Sequence, residues 1–155
     1  MQLLTGKIIL LTGGSTGIGF ECAQKYAEAG AVVVVVSNDR TTLDTAIHTL
    51  GAPHYSIFAD ISQTEDVKRM IALTLEKYGR IDVIHNNAAI AHPSKPLHET
   101  SENEWDDLMN INLKSLFLTT RYGIAALKES RGCIINTSSL VGEIGQENHA
   151  AYTAT

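Results

Sequence analysis

The segment Thr12-Gly13-Gly14-Ser15-Thr16-Gly17-Ile18-Gly19 lies between an apolar run and a stretch of helical period. Three of its glycines fall in a G-x-x-x-G-x-G spacing, and the strand-to-helix context is the one a phosphate-cradling turn requires. Gly13 lets the chain turn tightly, Gly17 leaves room for a pyrophosphate, and Gly19 lets helix and strand pack closely. The helix N-terminus then offers free N–H groups and the positive end of its dipole to an anion. Turns collect glycine, so the cluster alone is weak; between a strand and a helix it reads as a dinucleotide-binding loop. Downstream stand Asn112, Ser138-Ser139 and Tyr152, with Ser139 thirteen residues before the tyrosine. Hydroxyl and amide groups of this kind can polarise a substrate oxygen and exchange a proton with it. Each has a plain alternative by itself: the serines end a strand, the asparagine is a polar spot in a helix, and the tyrosine packs with its hydroxyl outward.

The elements that would position these groups are visible as alternating patterns. Lys7–Leu11, Ala31–Val36, His54–Phe58, Ile81–Asn86 and Gly132–Asn136 read as strands. Val32 to Val36 is β-branched at every position, which suits a parallel strand buried on both faces. Ile18–Ala29, Thr41–Leu50, Ser62–Tyr78 and Ser101–Lys128 read as helices. In the third, Val67, Met70, Ile71, Leu75 and Tyr78 recur at helical steps, with Ser62 or Thr64 as candidate cap and Gly79 as terminator. Gly30 ends the first helix in the same way. Trp105 is expected to anchor the start of the long fourth helix to the core. Strand–helix alternation with short connections predicts right-handed βαβ units and a parallel sheet. The irregular segment Ile90–Thr100 follows a strand's carboxyl end, where open α/β sheets place ligands.

Composition narrows the function classes. The 155 residues are 44% hydrophobic and 19% charged, which fits one globular domain with a real core. A net charge of −5, with Lys and Arg scattered singly, argues against a nucleic-acid partner. Cys22 and Cys133 lie in no ligand spacing and read as reduced, buried small hydrophobes. The six histidines show no metal-binding grouping, so no metal is expected; His92 and His149 read as surface loop positions or pocket lining. No signal-peptide order and no run near the roughly 20 apolar residues of a spanning helix appears, so the expected setting is a reducing cytoplasm, away from membrane.

The glycine loop, Asn86-Asn87-Ala88-Ala89, Asn112, Ser138-Ser139 and Tyr152 together resemble the short-chain dehydrogenase/reductase family, over essentially the whole chain. The resemblance implies an α/β fold, a Rossmann-type doubly wound parallel sheet with five strands in the order 3-2-1-4-5 and helices on both faces. Ser15, Thr16, Gly17, Ile18 and Gly19 would then hold the dinucleotide's phosphates. Asp60 and Ile61, in Phe58-Ala59-Asp60-Ile61, would meet the adenine; the alternative for Asp60 is a charge near the third helix. Asn87, Ala88 and Ala89 match the family's Asn-Asn-Ala-Gly, with Ala89 in place of glycine, and would let the backbone pass close to the cofactor. The same resemblance makes Tyr152 the acid/base and a cofactor contact. It makes Ser139 (Ser138 as runner-up) the oxygen polariser, and Asn112, ahead of Asn110, the holder of a relay water.

Cofactor choice is written less cleanly. Asp39 has the ~20-residue offset of an acid that binds ribose hydroxyls and repels a 2′-phosphate. In the family the deciding acid ends the second strand, here Ser37, and a phosphate-binding arginine follows, here Asn38, with Arg40 nearby. Asp39 tips the reading towards NAD with NADP retained; the alternative is a solvated loop.

A phenolate near neutral pH needs a neighbouring positive charge, since tyrosine's reference pKa is ~10. The family's lysine, in Tyr-x-x-x-Lys, would follow Thr155. Residues 1–155 are therefore expected to be an incomplete single domain and a fragment of a longer enzyme. The last two strands and the substrate loop would be absent, with Cys133-Ile134-Ile135 on an exposed, association-prone edge. The expected function is an NAD(P)-dependent oxidoreductase interconverting a secondary alcohol and a ketone, a homo-oligomer in its full-length form. The alternative is a non-catalytic dinucleotide-binding or association module.

Overall fold

A computed structural model describes residues 2–155. Five strands, β1 (Ile8–Thr12), β2 (Val32–Ser37), β3 (Tyr55–Phe58), β4 (Val83–Asn86) and β5 (Cys133–Asn136), form one parallel sheet in the order β3-β2-β1-β4-β5. Val33 to Val36 are fully buried, as are Leu10 and Leu11 beside them, because alternate side chains enter two different cores. On one face Leu10, Val34 and Val36 meet α3 (Thr64–Tyr78) through Val67, Met70 and Ile71, and α5 (Ser115–Ser130) through Leu118 and Leu127. On the other, Leu11, Val33 and Val35 meet α1 (Gly17–Glu28) through Ala23 and α2 (Arg40–Leu50) through Leu43. Each such aliphatic side chain contributes about 1.5–3 kcal/mol by leaving water, so the continuous valine run is what makes a two-faced sheet stable.

The end of the sheet away from the glycine loop is fastened by Asp82. Its carboxylate accepts from Ile8 N–H (3.0 Å), Lys7 Nζ (3.1 Å) and Arg80 Nη2 (2.6 Å). Burial alone would raise its pKa, but these donors hold the carboxyl below the usual range.

The remaining elements differ from expectation in instructive ways. The single helix expected over Ser101–Lys128 is α4 (Glu102–Leu108), a π-helical turn (Met109–Lys114) and α5 in one column. Ser101 caps α4 in a capping box with Glu104. The N-cap of α3 is Gln63, without a side-chain bond, because the Ser62 hydroxyl donates to Asp60 instead. Gly79 does end that helix in a left-handed conformation, φ 72°. Trp105 is 38% exposed rather than packed into the core: the apolar face of α4 that turns inward carries Leu108. Cys133 is exposed on β5, which borders only β4, while Cys22 is half-buried; both are free thiols. A short helix α6 (Ala150–Thr153) carries Tyr152. Among the described residues, no helix is long and apolar enough to cross a membrane, and no three His, Cys, Asp or Glu cluster as metal ligands.

Candidate active site

At the carboxyl ends of β1, β2, β4 and β5 the chain opens into a cleft of about 600 Å³. The glycine loop forms its floor. Gly13 turns at φ 63°, and a side chain there would press on the Ala88 backbone at 2.7 Å. Gly17, at φ 51°, has open space where a side chain would sit and lines the cleft. A Cβ at Gly19 would overlap the Gly13 carbonyl oxygen. Gly13 and Gly19 thus serve close packing, Gly13 and Gly17 a positive φ, and Gly17 leaves space for a ligand. Ser15, Thr16 and Ile18 complete this floor.

The loop is braced from β4. Asn87 Nδ2 donates to the carbonyls of Thr12 (3.3 Å) and Gly13 (3.2 Å). Thr12 Oγ1 in turn accepts from the N–H groups of Asn87 (3.1 Å) and Ala88 (3.2 Å). Asn86, one residue earlier, ties β4 to β5 through Asn136 (2.9 Å) and to α5 through Thr119 (2.8 Å). Ala88 and Ala89 line the cleft, where their small side chains keep the wall close.

At the far end, Ser37, Asn38, Asp39, Asp60 and Ile61 line the same cleft. Ser15 Oγ donates to Ser37 Oγ (2.9 Å) and lies 3.0 Å from Thr42 Oγ1. Asp39 is the N-cap of α2, its Oδ1 accepting from Thr42 N–H at 3.0 Å. Asp60 Oδ1 accepts from the N–H and hydroxyl of Ser62, at 2.9 and 2.8 Å. Both expected acids therefore also organise a helix start, so the structural and the ligand-facing alternatives coincide in one place. Arg40 turns away: its guanidinium sits 4.6 Å from the Phe58 ring centroid. No Lys or Arg is among the residues lining this cleft.

Ser138, Ser139 and Tyr152 close the opposite end. Asn112 stands behind it, 7% exposed, in the π-helical turn. Its Nδ2 donates to Ile90 O (2.9 Å) and Thr155 Oγ1 (3.1 Å), and its Oδ1 accepts from Ile90 N–H (2.9 Å). This clamp fixes the backbone of a cleft-lining residue, and one Oδ1 lone pair stays uncommitted.

Tyr152 also faces a second, narrow slot of about 20 Å³, room for one water or hydroxyl. His92, His149, Asn148 and Thr100 line it, with Lys95 and Glu104. The segment expected to be irregular is held there: Lys95 N–H donates to Asn148 O (2.9 Å), and Ser94 Oγ is 3.0 Å from His149 Nε2. Lys95 Nζ also donates to Glu104 Oε1, and this bond with those from Ser101 holds the Glu104 carboxyl down to about 2. His92 Nε2 is buried without a protein partner. His92 and His149 are therefore pocket-lining groups beside Tyr152, brought together by a bridge that spans more than fifty residues. Thr12 and Ile90 fall within the loop and the irregular segment expected at the site, whereas Thr42 and Thr137 carry no such expectation; Thr137 had a local signal in its place between Asn136 and Ser138.

Known proteins resemble this chain over nearly its whole length. A family model described as short chain dehydrogenase matches residues 7–155. The chain is 35% identical over 150 residues to L-fucose dehydrogenase of Bos taurus, covering 97% of this chain and 55% of that protein. It is 36% identical over 154 residues to 2,5-dichloro-2,5-cyclohexadiene-1,4-diol dehydrogenase of Sphingobium indicum, covering 98% and 62%. The crystal structure of 3-ketoacyl-(acyl-carrier-protein) reductase from Brucella melitensis complexed with NADH superposes with a TM-score of 0.95 at 31% identity, over 97% of this chain and 64% of that one. The chain thus spans little more than half the length of the curated relatives it matches.

Proposed function

The chain belongs to the short chain dehydrogenase family, and from that premise we propose that the protein is an NAD(P)-dependent oxidoreductase interconverting a secondary alcohol and a ketone. One observation carries the reading: Tyr152 lines both the glycine-floored cleft and the polar slot, so a single residue borders both compartments. The residues fit a dinucleotide. The α1 N-terminus and Gly17 offer N–H groups and open space to its phosphates, and Asp60 with Ile61 lies at the far end for the adenine. When bound, the nicotinamide supplies or accepts the hydride. In this reading Ser139 holds the substrate oxygen and Tyr152 exchanges a proton with it. Asn112 keeps Ile90 in place and offers its uncommitted lone pair to a relay water.

We assign NAD ahead of NADP because the cleft carries Asp39 and Asp60 and no cation to meet a 2′-phosphate. The relatives' names include a sugar and a cyclic diol, and the slot beside Tyr152 admits one hydroxyl among imidazole, amide and hydroxyl groups. A small hydroxylated ring is the substrate class that fits. Leu113 (46% exposed) and Phe117 (55% exposed) form an apolar face on the π-helical turn and α5, which supports self-association into a homo-oligomer. Fluorescence titration with NADH and NADPH tests the cofactor reading. NADH should bind more tightly; tighter NADPH binding would reverse the cofactor assignment, and binding of neither would sink the function.

A further inference from the structure

His85, on β4, is 4% exposed and takes no part in the chemistry proposed above, yet both of its ring nitrogens are bonded. Nδ1 lies 3.1 Å from Tyr26 Oη on α1, and Nε2 lies 2.9 Å from Thr137 Oγ1 beyond β5. Thr137 Oγ1 donates to Asn87 Oδ1 at 3.2 Å, and Asn87 Nδ2 donates to the Thr12 and Gly13 carbonyls of the glycine loop.

Donor and acceptor chemistry fixes the direction of this run. Backbone carbonyls only accept, so Asn87 must present Nδ2 to them and Oδ1 to Thr137. Oδ1 also only accepts, so the single Thr137 hydroxyl proton goes to it. The Thr137 oxygen then has to receive its bond from His85 Nε2–H. Nδ1 of the neutral ring is left as an acceptor for the Tyr26 hydroxyl. Every proton along the path has one place to go, from the half-buried Tyr26 to the first turn of the loop.

We propose that His85 is a positioning residue for dinucleotide binding: as the neutral Nε2–H imidazole it orients Thr137 and Asn87, and through them holds the loop at Gly13. The proposal rests on the dinucleotide-binding reading of the cleft. Its surroundings favour the neutral ring. Burial alone pushes the His85 pKa below the ordinary 6.5. No charged group contributes to that shift: α1 offers Tyr26, edge-on at 5.9 Å, and the residues paired with His85 are Leu11 on β1 and Ile135 on β5. A proton on Nδ1 would place charge at this buried position and reverse the bond from Tyr26. The group is neutral in the binding state, so affinity should be constant at pH 6.5 and above and weaken only as pH falls through the lowered pKa of the buried ring.

The test is NADH fluorescence titration between pH 8 and pH 5 on the wild type, His85→Leu, Thr137→Val and Thr137→Ser, with a thermal midpoint for each. His85→Leu and Thr137→Val should weaken NADH binding about tenfold at pH 8, equivalent to ~1.4 kcal/mol. His85→Leu should also lose the acid limb, and Thr137→Ser, which keeps the hydroxyl, should bind as the wild type does. Wild-type affinity in His85→Leu, an acid limb that persists in it, or a Thr137→Ser as damaged as Thr137→Val would overturn the proposal. If His85→Leu loses its thermal transition, Tyr26→Phe removes one hydroxyl at the half-buried end and should still displace the acid limb. Should the wild type bind no NADH, the dinucleotide reading fails by itself. The imidazole 15N shifts then decide the hydrogen-bond run: an Nε2–H tautomer that changes in Thr137→Val supports it, and an Nδ1–H tautomer refutes it.

Discussion

The two ends of the cleft are built by different means. At the glycine loop, order comes from contact: β1 and β2 are buried on both faces, Gly13 touches Ala88, and Asn87 grips two loop carbonyls. At the other end Ser138 and most of β5 are exposed, α6 has four residues, and Tyr152 is positioned through long-range bonds around Ile90, Lys95 and Asn148. Binding of a phosphate needs a rigid backbone, which neighbours in sequence can supply. The proton-transfer set proposed for the other end is drawn from three segments and needs the topology of the whole sheet.

The largest test of that division is Tyr152→Phe. It should lower kcat by about 10²–10⁴-fold, as loss of a general acid/base does, while NADH affinity measured by fluorescence stays the same. Loss of binding in this variant would merge the two ends into one. Next comes Gly13→Val, which forces a β-branched residue to φ 63° against the Ala88 backbone. We expect it to cost about 2–4 kcal/mol by denaturant titration and to lose NADH binding, whereas Gly145→Ala, with nothing within 4 Å, should change neither. Asn112→Leu is smaller. It leaves the Ile90 N–H and carbonyl without their partner and should cost roughly 1–3 kcal/mol, with KM for the alcohol rising more than the NADH dissociation constant.

Acid should distinguish the amino end of the sheet from the Tyr152 end of the cleft. His54 Nδ1 accepts from Val33 N–H (3.1 Å), and burial holds the His54 pKa below its ordinary value. Its contribution is therefore complete above about pH 6.5 and is lost as pH falls below that. Glu104 has its pKa depressed to about 2, so the stability it lends with Lys95 is complete above its ordinary 4.5 and fades only towards 2. Between pH 6 and pH 5, hydrogen-exchange protection, corrected for the intrinsic rate at each pH, should fall at Val33 and β3 while Ser101 and Glu104 amides keep theirs. An equal fall at both would contradict this order.

Much of the architecture at the glycine-loop end was legible because its signals are local. A β-branched run announces a two-faced strand, and glycine spacing between strand and helix announces the loop. The other end was legible only by resemblance, and its physical details escaped. Helical periodicity cannot reveal a π-helical turn, since one widened turn preserves apolar spacing on either side. Trp105 reads as a core anchor by residue type, yet the neighbouring Leu108 takes the inward position. Cys133 reads as a small buried hydrophobe by residue type, but the strand order implied by the resemblance puts it on an exposed edge, and the strand order prevails. The pairing of His85 with Tyr26 spans fifty-nine residues and leaves no mark on any local pattern.

The π-helical turn at Met109–Lys114 also sets how this column tolerates changes in length. Each residue of an α-helix advances the chain by about 100°, so one extra residue per turn acts as a phase shifter between α4 and α5. Deleting one residue within the turn would restore a regular helix and rotate one end against the other. Leu108 or the Leu118–Leu127 face would then leave the core, and Asn112 would swing off Ile90. Point substitutions here should be absorbed far more readily than single-codon deletions, so the register of this column is a trait that inheritance must guard by length as well as by residue type.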